Sequence, residues 1–125
     1  QAIQIGKFDI TGETEVSGAQ ITVTVPETVD LTKVNVTGGK NIEMKDGKIT
    51  WISNGETVVI NGLTDGVYTL RETNDDNNPI LDNGKEYSVI DSEMSFTIEP
   101  TTYGIESHRE SGIGFLLARV EKSFL

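Results

Sequence analysis

Cysteine is absent from the 125 residues of the chain, and histidine occurs once, as His108. The chain therefore has no disulfide framework, no thiolate metal ligand and no thiol nucleophile. With a single histidine, the chain also has too few suitable residues for a catalytic triad or a two-histidine metal site. We interpret His108, which lies in a polar stretch, as a solvated loop residue. We predict no metal site, no cofactor and no enzymatic activity.

Basic residues are scarce: ten Lys and Arg stand against twenty Asp and Glu, which gives a net charge of −10. Nucleic acids and anionic lipids are bound mainly through clusters of Lys and Arg. We therefore expect no nucleic-acid partner. The longest apolar run, around residues 114–118, is far shorter than the roughly 20 residues that span a bilayer, so we expect no membrane insertion of this module. Because the chain starts at Gln1 without methionine, it has either a mature terminus or the start of an excised domain, and we expect an excised domain.

Short runs rich in β-branched residues recur along the chain and are separated by turn-forming pairs such as Asp46-Gly47, Asn54-Gly55 and Asn83-Gly84. This spacing is typical of a β-sandwich, and the length fits one domain over residues 1–125. The predicted strands are Ile3–Ile10, Ala19–Val25, Lys48–Ile52, Thr57–Ile60, Val67–Glu72, Ser95–Glu99 and Gly114–Glu121. Little helix is expected, apart from a short helical turn or a loop at Thr102–Glu110. Pro26–Asp46 and Asn74–Glu86 are predicted to be inserted surface segments.

Two charged residues fall on predicted core faces. In the first strand, alternation places Lys7 on the same face as Ile3 and Ile5. In the strand Val67–Thr73 it places Glu72 with Tyr68 and Leu70. A buried charge costs several kcal/mol unless it is paired or neutralised, so the two side chains are expected to meet. A neutral amine beside a protonated acid suits amide formation. The alternative, in which Lys7 and Glu72 reach solvent, stays open here.

Three segments, read in order, resemble one known family: IGKFDITGETEVSGAQITV, ITWISNGETVVINGLTDGVYTLRET and MSFTIE. They lie within residues 3 to 99. They are similar to the B-type repeat of collagen adhesins and the related pilin domains, the Cna-B or SpaA-like domains of Gram-positive surface proteins. The resemblance implies an all-β, immunoglobulin-like or prealbumin-like sandwich with Greek-key connections. It also implies that Trp51 is a core aromatic.

The resemblance further implies an isopeptide bond between the first and last strands. Lys7 falls on the bond-forming lysine of the family and Glu72 on its proton-shuttling glutamate. The acceptor, an Asn or Asp in the last strand, is not found, because no Asn or Asp follows Asp91. Depending on register, Ala118 or Arg119 occupies its position.

Three explanations follow for the missing acceptor, in order of preference: the bond is absent, the acceptor strand lies outside this chain, or Glu121 substitutes through an offset register. Residues 103–125 match the family poorly, so we expect an atypical last strand or a tail there.

The expected function is that of a structural stalk or spacer in an adhesin or pilin. Its expected location is the cell surface, anchored to the cell wall through other parts of the parent protein. The expected partners are neighbouring domains of that protein. The alternative is a ligand-binding module that recognises a host protein or glycan through the two inserted segments.

Overall fold

Alternating apolar and polar residues separated by Gly and Asn turns produce a structure made almost entirely of strands. The computed structural model describes residues 2–8, 14–90, 92–98, 104–110 and 114–121; for the last two ranges it describes the backbone alone. The strands in these residues are β1 (Ala2–Phe8), β2 (Ser17–Thr24), β3 (Asn35–Thr37), β4 (Lys40–Lys45), β5 (Lys48–Asn54), β6 (Val58–Asn61), β7 (Gly66–Glu72), β8 (Ile80–Asp82), β9 (Lys85–Tyr87), β10 (Met94–Ile98), β11 (Gly104–Glu110) and β12 (Gly114–Glu121). The described helix is one 3₁₀ turn at Leu31–Lys33, and no described helix is long and apolar enough to cross a membrane.

Two five-stranded antiparallel sheets form the sandwich. The first sheet has the order β11-β12-β1-β6-β3, and the second has the order β10-β7-β2-β5-β4. β8 and β9 form a separate hairpin. The predicted all-β sandwich is confirmed, and each of the seven predicted strands matches an observed one within a few residues. Apart from β11–β12 and β4–β5, the neighbouring strands of the two sheets are not consecutive in the chain, so crossover connections join them.

Side chains alternate between core and solvent along the central strands, as a period of two requires. Ile49, Trp51 and Ser53 of β5 are buried, and the residues between them are half-buried. Trp51 is fully buried, as predicted. Tyr68 stacks on Phe96 with ring centroids 5.3 Å apart, and its hydroxyl donates to the carbonyl oxygen of Thr64. Each large apolar side chain buried in this way contributes about 1.5–3 kcal/mol.

Two predictions about local structure were wrong. Pro26–Asp46 is not an insertion outside the sandwich, because it supplies β3 and β4, which are edge strands of different sheets. These strands were missed because they are short and, in β4, exposed throughout. Thr102–Glu110 was predicted to be a helical turn or a loop, but Gly104–Glu110 is a strand paired with β12. Pairing with a neighbour outweighs the weak local preference of such a polar segment.

The second predicted insertion, Asn74–Glu86, contains the β8–β9 hairpin, whose two-residue turn has positive φ at Asn83 (54°) and Gly84 (79°). The segment is fixed to the start of β2. The Asp82 carboxylate accepts from the N–H of Ser17 at 3.0 Å, and the Asn74 amide oxygen accepts from the N–H of Gln20 at 2.8 Å. It is therefore an ordered hairpin on one end of the second sheet.

Candidate functional site

Lys7 lies on the core face of β1, as alternation predicted. Ile3 and Ile5, which share this face, are fully buried, and Lys7 itself is 1% exposed. The strand is central in the first sheet, between β12 and β6, so it cannot turn to bring the lysine to an edge. The ammonium group is therefore held inside the sandwich.

Glu72 is the last residue of β7 and lies on the core face with Tyr68 and Leu70. Its Oε2 is 2.9 Å from Nζ of Lys7, and neither side chain is exposed to solvent. Because β1 belongs to the first sheet and β7 to the second, the contact joins the two sheets across the core. The predicted meeting of the two side chains is thus present in the structure.

A backbone group fixes the orientation of the glutamate. The N–H of Ile90 donates to Oε1 of Glu72 at 2.5 Å, which leaves Oε2 directed at the lysine. Within the described residues neither Lys7 Nζ nor Glu72 Oε2 has a partner in hydrogen-bond geometry, so the 2.9 Å contact is an ion-pair contact. The lysine thus keeps donor capacity that no described acceptor uses.

Burial raises the pKa of the Glu72 carboxyl. The adjacent Lys7 ammonium and the N–H of Ile90 both lower this pKa, but they do not cancel the effect of burial. The carboxyl group of Glu72 therefore keeps its proton to a higher pH than an exposed glutamate does. A buried amine beside a protonated acid is the arrangement that can promote amide formation, provided that a carboxyl or carboxamide carbon lies within reach of the amine.

A family model described as SpaA, prealbumin-like fold domain, matches residues 1–104. The chain belongs to this family. SpaA domains are structural modules of Gram-positive pilins and surface proteins, so this SpaA domain is a pilin or surface-protein module. Comparisons with curated proteins and with solved structures found no match. The matched region of the SpaA domain ends at the first residue of β11.

The register between β1 and β12 shows which residues of this SpaA domain lie opposite Lys7 and its neighbours. Lys7 pairs with Leu116, Ile5 with Ala118 and Gln4 with Arg119. Neither Ala118 nor Arg119 is therefore directly opposite the lysine. No position of β12 close to Lys7 carries a carboxyl or carboxamide group.

The offset-register explanation was wrong. Glu121 pairs with Ala2, at the opposite end of β1 from Lys7. Five residue steps of strand separate Ala2 from Lys7, a distance of about 17 Å at roughly 3.3 Å per residue. A lysine side chain cannot cover that distance inside the sheet. β12 therefore holds no carboxyl or carboxamide group within reach of Lys7 for an amide bond.

Two further contacts in the core were not predicted from the sequence. Ser53 was not recognised from the sequence, although alternation along β5 would have placed it inward with Trp51. Its hydroxyl donates to the carbonyl oxygen of Val16 at 2.7 Å and accepts from the N–H of Ala19 at 2.9 Å. The role of Ile90 could not have been found from residue type, because its backbone makes the contact. The backbone of His108 lies in β11 rather than in the predicted loop.

Proposed function

We propose that this SpaA domain is a structural stalk or spacer module of a bacterial adhesin or pilin, in which the Lys7–Glu72 pair is a non-covalent tie between the two sheets. The observation that carries the proposal is the fully buried 2.9 Å contact between β1 and β7. Separating a buried charge pair of this kind strongly destabilises the fold, because it leaves a charge or a polar group unpaired in an apolar interior. The pair therefore resists sliding of one sheet over the other.

The remainder of the core supports a load-bearing role. Among the described residues, twenty buried apolar side chains from both sheets and from the segments between their strands form one continuous cluster. Three depressions in the described part, of about 410, 630 and 230 Å³, are partly open to solvent. No group of three or more metal-ligating side chains occurs among the described residues.

A chimeric surface protein tests this proposal. The SpaA domain is placed between a cell-surface anchor and a tip of known ligand, and in a second protein it forms the tip itself. We expect ligand binding by the known tip to be retained in the first protein. In the second we expect no binding to collagen, fibrinogen, fibronectin or a mucin glycan panel. Binding by the SpaA domain at the tip would contradict the spacer role.

The second candidate is recognition of a host protein or glycan, and one feature favours it. A depression of about 410 Å³ lies beside the β8–β9 hairpin, lined in part by Asp75, Asp76 and Glu86 together with Tyr87. Loops and hairpins on a rigid scaffold commonly carry recognition. If the tip protein binds a ligand, replacement of Asp76 and Glu86 by serine tests whether this depression is responsible, with Lys33→Ser on the 3₁₀ turn as the control.

A further inference from the structure

The chain contains three Asn-Gly pairs: Asn54-Gly55, Asn61-Gly62 and Asn83-Gly84. In such a pair the backbone nitrogen of the glycine can attack the side-chain amide carbon of the asparagine, because glycine has no Cβ to hinder the approach. The two groups are neighbours in one chain, so the attack is intramolecular and needs no encounter with another molecule. How readily a pair reacts in the folded protein depends on how firmly its backbone and its carboxamide are held.

The fold restrains Asn54 at the end of β5. Its carboxamide oxygen accepts from the N–H of Glu56 at 3.3 Å, and the side chain is half-buried. Its backbone pairs with Ser17 of β2, which lies in the middle of the second sheet. To bring the carboxamide carbon to the nitrogen of Gly55, the hydrogen bond must break and the backbone must rotate at a paired strand position.

The fold restrains Asn61 from two sides. Asn61 is the last residue of β6, and it pairs with Ala2 of β1 and with Asn35 of β3. The glycine that follows, Gly62, packs so closely against the backbone carbonyl of Lys33 that no Cβ could be added there. Rotation of the backbone at Asn61 therefore disturbs pairing with two strands and this close packing.

Asn83 and Gly84, which form the turn of the β8–β9 hairpin, are not restrained in these ways. Both are exposed, and the last paired residues before the turn are Asp82 and Lys85. Within the described residues the Asn83 carboxamide makes no hydrogen bond. A Cβ added at Gly84 would have open space around it in the described part of the chain. Both reacting groups are thus free of other contacts.

Little strand pairing opposes the backbone rotation that the reaction requires. β8 and β9 have three residues each and, among the described strands, pair only with each other. A two-stranded hairpin is marginally stable by itself. Rotation at Asn83 involves the adjacent Asp82–Lys85 rung and no strand of the two large sheets. Such local openings occur at a free energy well below that of global unfolding.

We propose that Asn83 is a site of spontaneous deamidation in the folded chain. The nitrogen of Gly84 forms a bond to Cγ of Asn83, the Cγ–Nδ2 bond breaks, and Nδ2 leaves as ammonia with the amide proton of Gly84. Water then opens the resulting cyclic imide at either of its carbonyl carbons. One opening gives an aspartate in an ordinary main chain, and the other gives an isoaspartate, whose main chain is longer by one carbon.

The products change the hairpin. Each product places a new negative charge beside Asp82, and the longer main chain of the isoaspartate no longer fits a two-residue turn, so the Asp82–Lys85 rung should weaken. Because the Asp82 carboxylate also accepts from the N–H of Ser17, the attachment of the hairpin to β2 should loosen with it. The turn borders a depression lined by Thr14 and Tyr87, whose charge and shape therefore change as the chain ages. This chemistry does not require the spacer role.

Peptide mapping of incubated samples tests the proposal. The whole chain is kept at mildly alkaline pH, where the attacking nitrogen loses its proton more readily, both folded and in concentrated guanidinium chloride. Tandem mass spectrometry then locates each asparagine that has lost ammonia and gained water. In the denaturant the three pairs should react at similar rates, because the fold no longer distinguishes them. In the folded chain Asn83 should react about tenfold faster than Asn54 and Asn61, or more. Equal rates at the three pairs in the folded chain would overturn the proposal, and so would a folded chain in which Asn83 stays intact while it reacts in the denaturant.

Asn83→Asp separates the effect of the new charge from that of the longer main chain, because it carries the carboxylate in an ordinary turn. The isoaspartate form of the chain is purified by chromatography, and hydrogen exchange is measured across the β8–β9 hairpin. We expect faster exchange in the isoaspartate form than in Asn83→Asp, and exchange in Asn83→Asp close to that of the unmodified chain. Equal exchange in the isoaspartate form and in Asn83→Asp would contradict the loosening of the hairpin.

Discussion

Replacing Lys7 by methionine and Glu72 by glutamine, singly and together, measures what the buried pair contributes to folding. Both side chains are fully buried and their charged atoms are 2.9 Å apart, so each single change leaves the other group without its partner in the core. Methionine has nearly the length of the lysine side chain. Glutamine keeps an oxygen that can accept the N–H of Ile90.

The expected costs differ between the two single variants. Glu72→Gln leaves an amine in the core without an acid beside it, and we expect the free energy of unfolding to fall by about 3–5 kcal/mol. Lys7→Met leaves a carboxyl group that burial already favours in its neutral form. We therefore expect a loss of similar size at pH 7 and a smaller loss at pH 4, where the carboxyl can hold its proton. The double variant should lose less than the sum of the two by at least about 2 kcal/mol.

Urea unfolding at pH 7 and pH 4, followed by the fluorescence of the buried Trp51, gives these free energies from the midpoint and the slope. Glu56→Gln is a matched control for Glu72→Gln, because Glu56 is exposed, and it should change stability by no more than about 0.5 kcal/mol. Additive single costs, within about 0.5 kcal/mol, would refute the coupling. Single costs as small as that of the control would show that the pair is not buried in solution.

Three further predictions concern neighbouring features. First, the pKa of Glu72 is raised in the folded state, so the wild type should lose stability relative to Glu72→Gln as pH rises from the ordinary pKa of glutamate through the raised pKa. Urea titrations across that pH range measure the free energy of unfolding of both proteins. A difference in this free energy that does not change with pH would contradict the raised pKa. Second, Ser53→Ala removes the partners of two buried backbone groups and should cost about 1–3 kcal/mol by urea unfolding, whereas the exposed Ser95→Ala should cost under about 0.5 kcal/mol. Third, Gly39→Ala places a Cβ 3.0 Å from Cδ1 of Trp51 at a φ of 75°, whereas Gly47→Ala places one in open space at a φ of 71°. Gly39→Ala should therefore lower the melting temperature more than Gly47→Ala does. Equal shifts in melting temperature would show that the contact with Trp51 adds no destabilisation.

Alternation alone located the site, since a period of two placed Lys7 and Glu72 inward before any contact was known. Their meeting could be predicted because two buried groups of opposite charge have few other ways to be satisfied. The family resemblance identified the same two residues independently. Burial of Tyr68 was predicted from alternation and that of Trp51 from the family resemblance, and both residues are buried.

The missed features depend on contacts between segments far apart in the chain. β3 has three residues, and the alternating Ile42 and Met44 of β4 are both exposed, so the sequence pattern did not distinguish these edge strands from an inserted surface segment. The hydrogen bond from Ile90 to Glu72 comes from the backbone, which every residue possesses. The register that places Leu116 opposite Lys7 is set by the pairing of two whole strands, so the sequence left Ala118 and Arg119 as the candidates.

The intact mass of the purified chain under denaturing conditions tests the central claim most directly, which is that Lys7 and Glu72 form a tie without a covalent bond. The register leaves no carboxyl or carboxamide in β12 near Lys7, so we predict the full mass of the 125 residues. Peptide mapping must accompany the measurement, because cyclisation of Gln1 also releases ammonia. A deficit of one ammonia or one water that maps to the peptide containing Lys7 would contradict the claim.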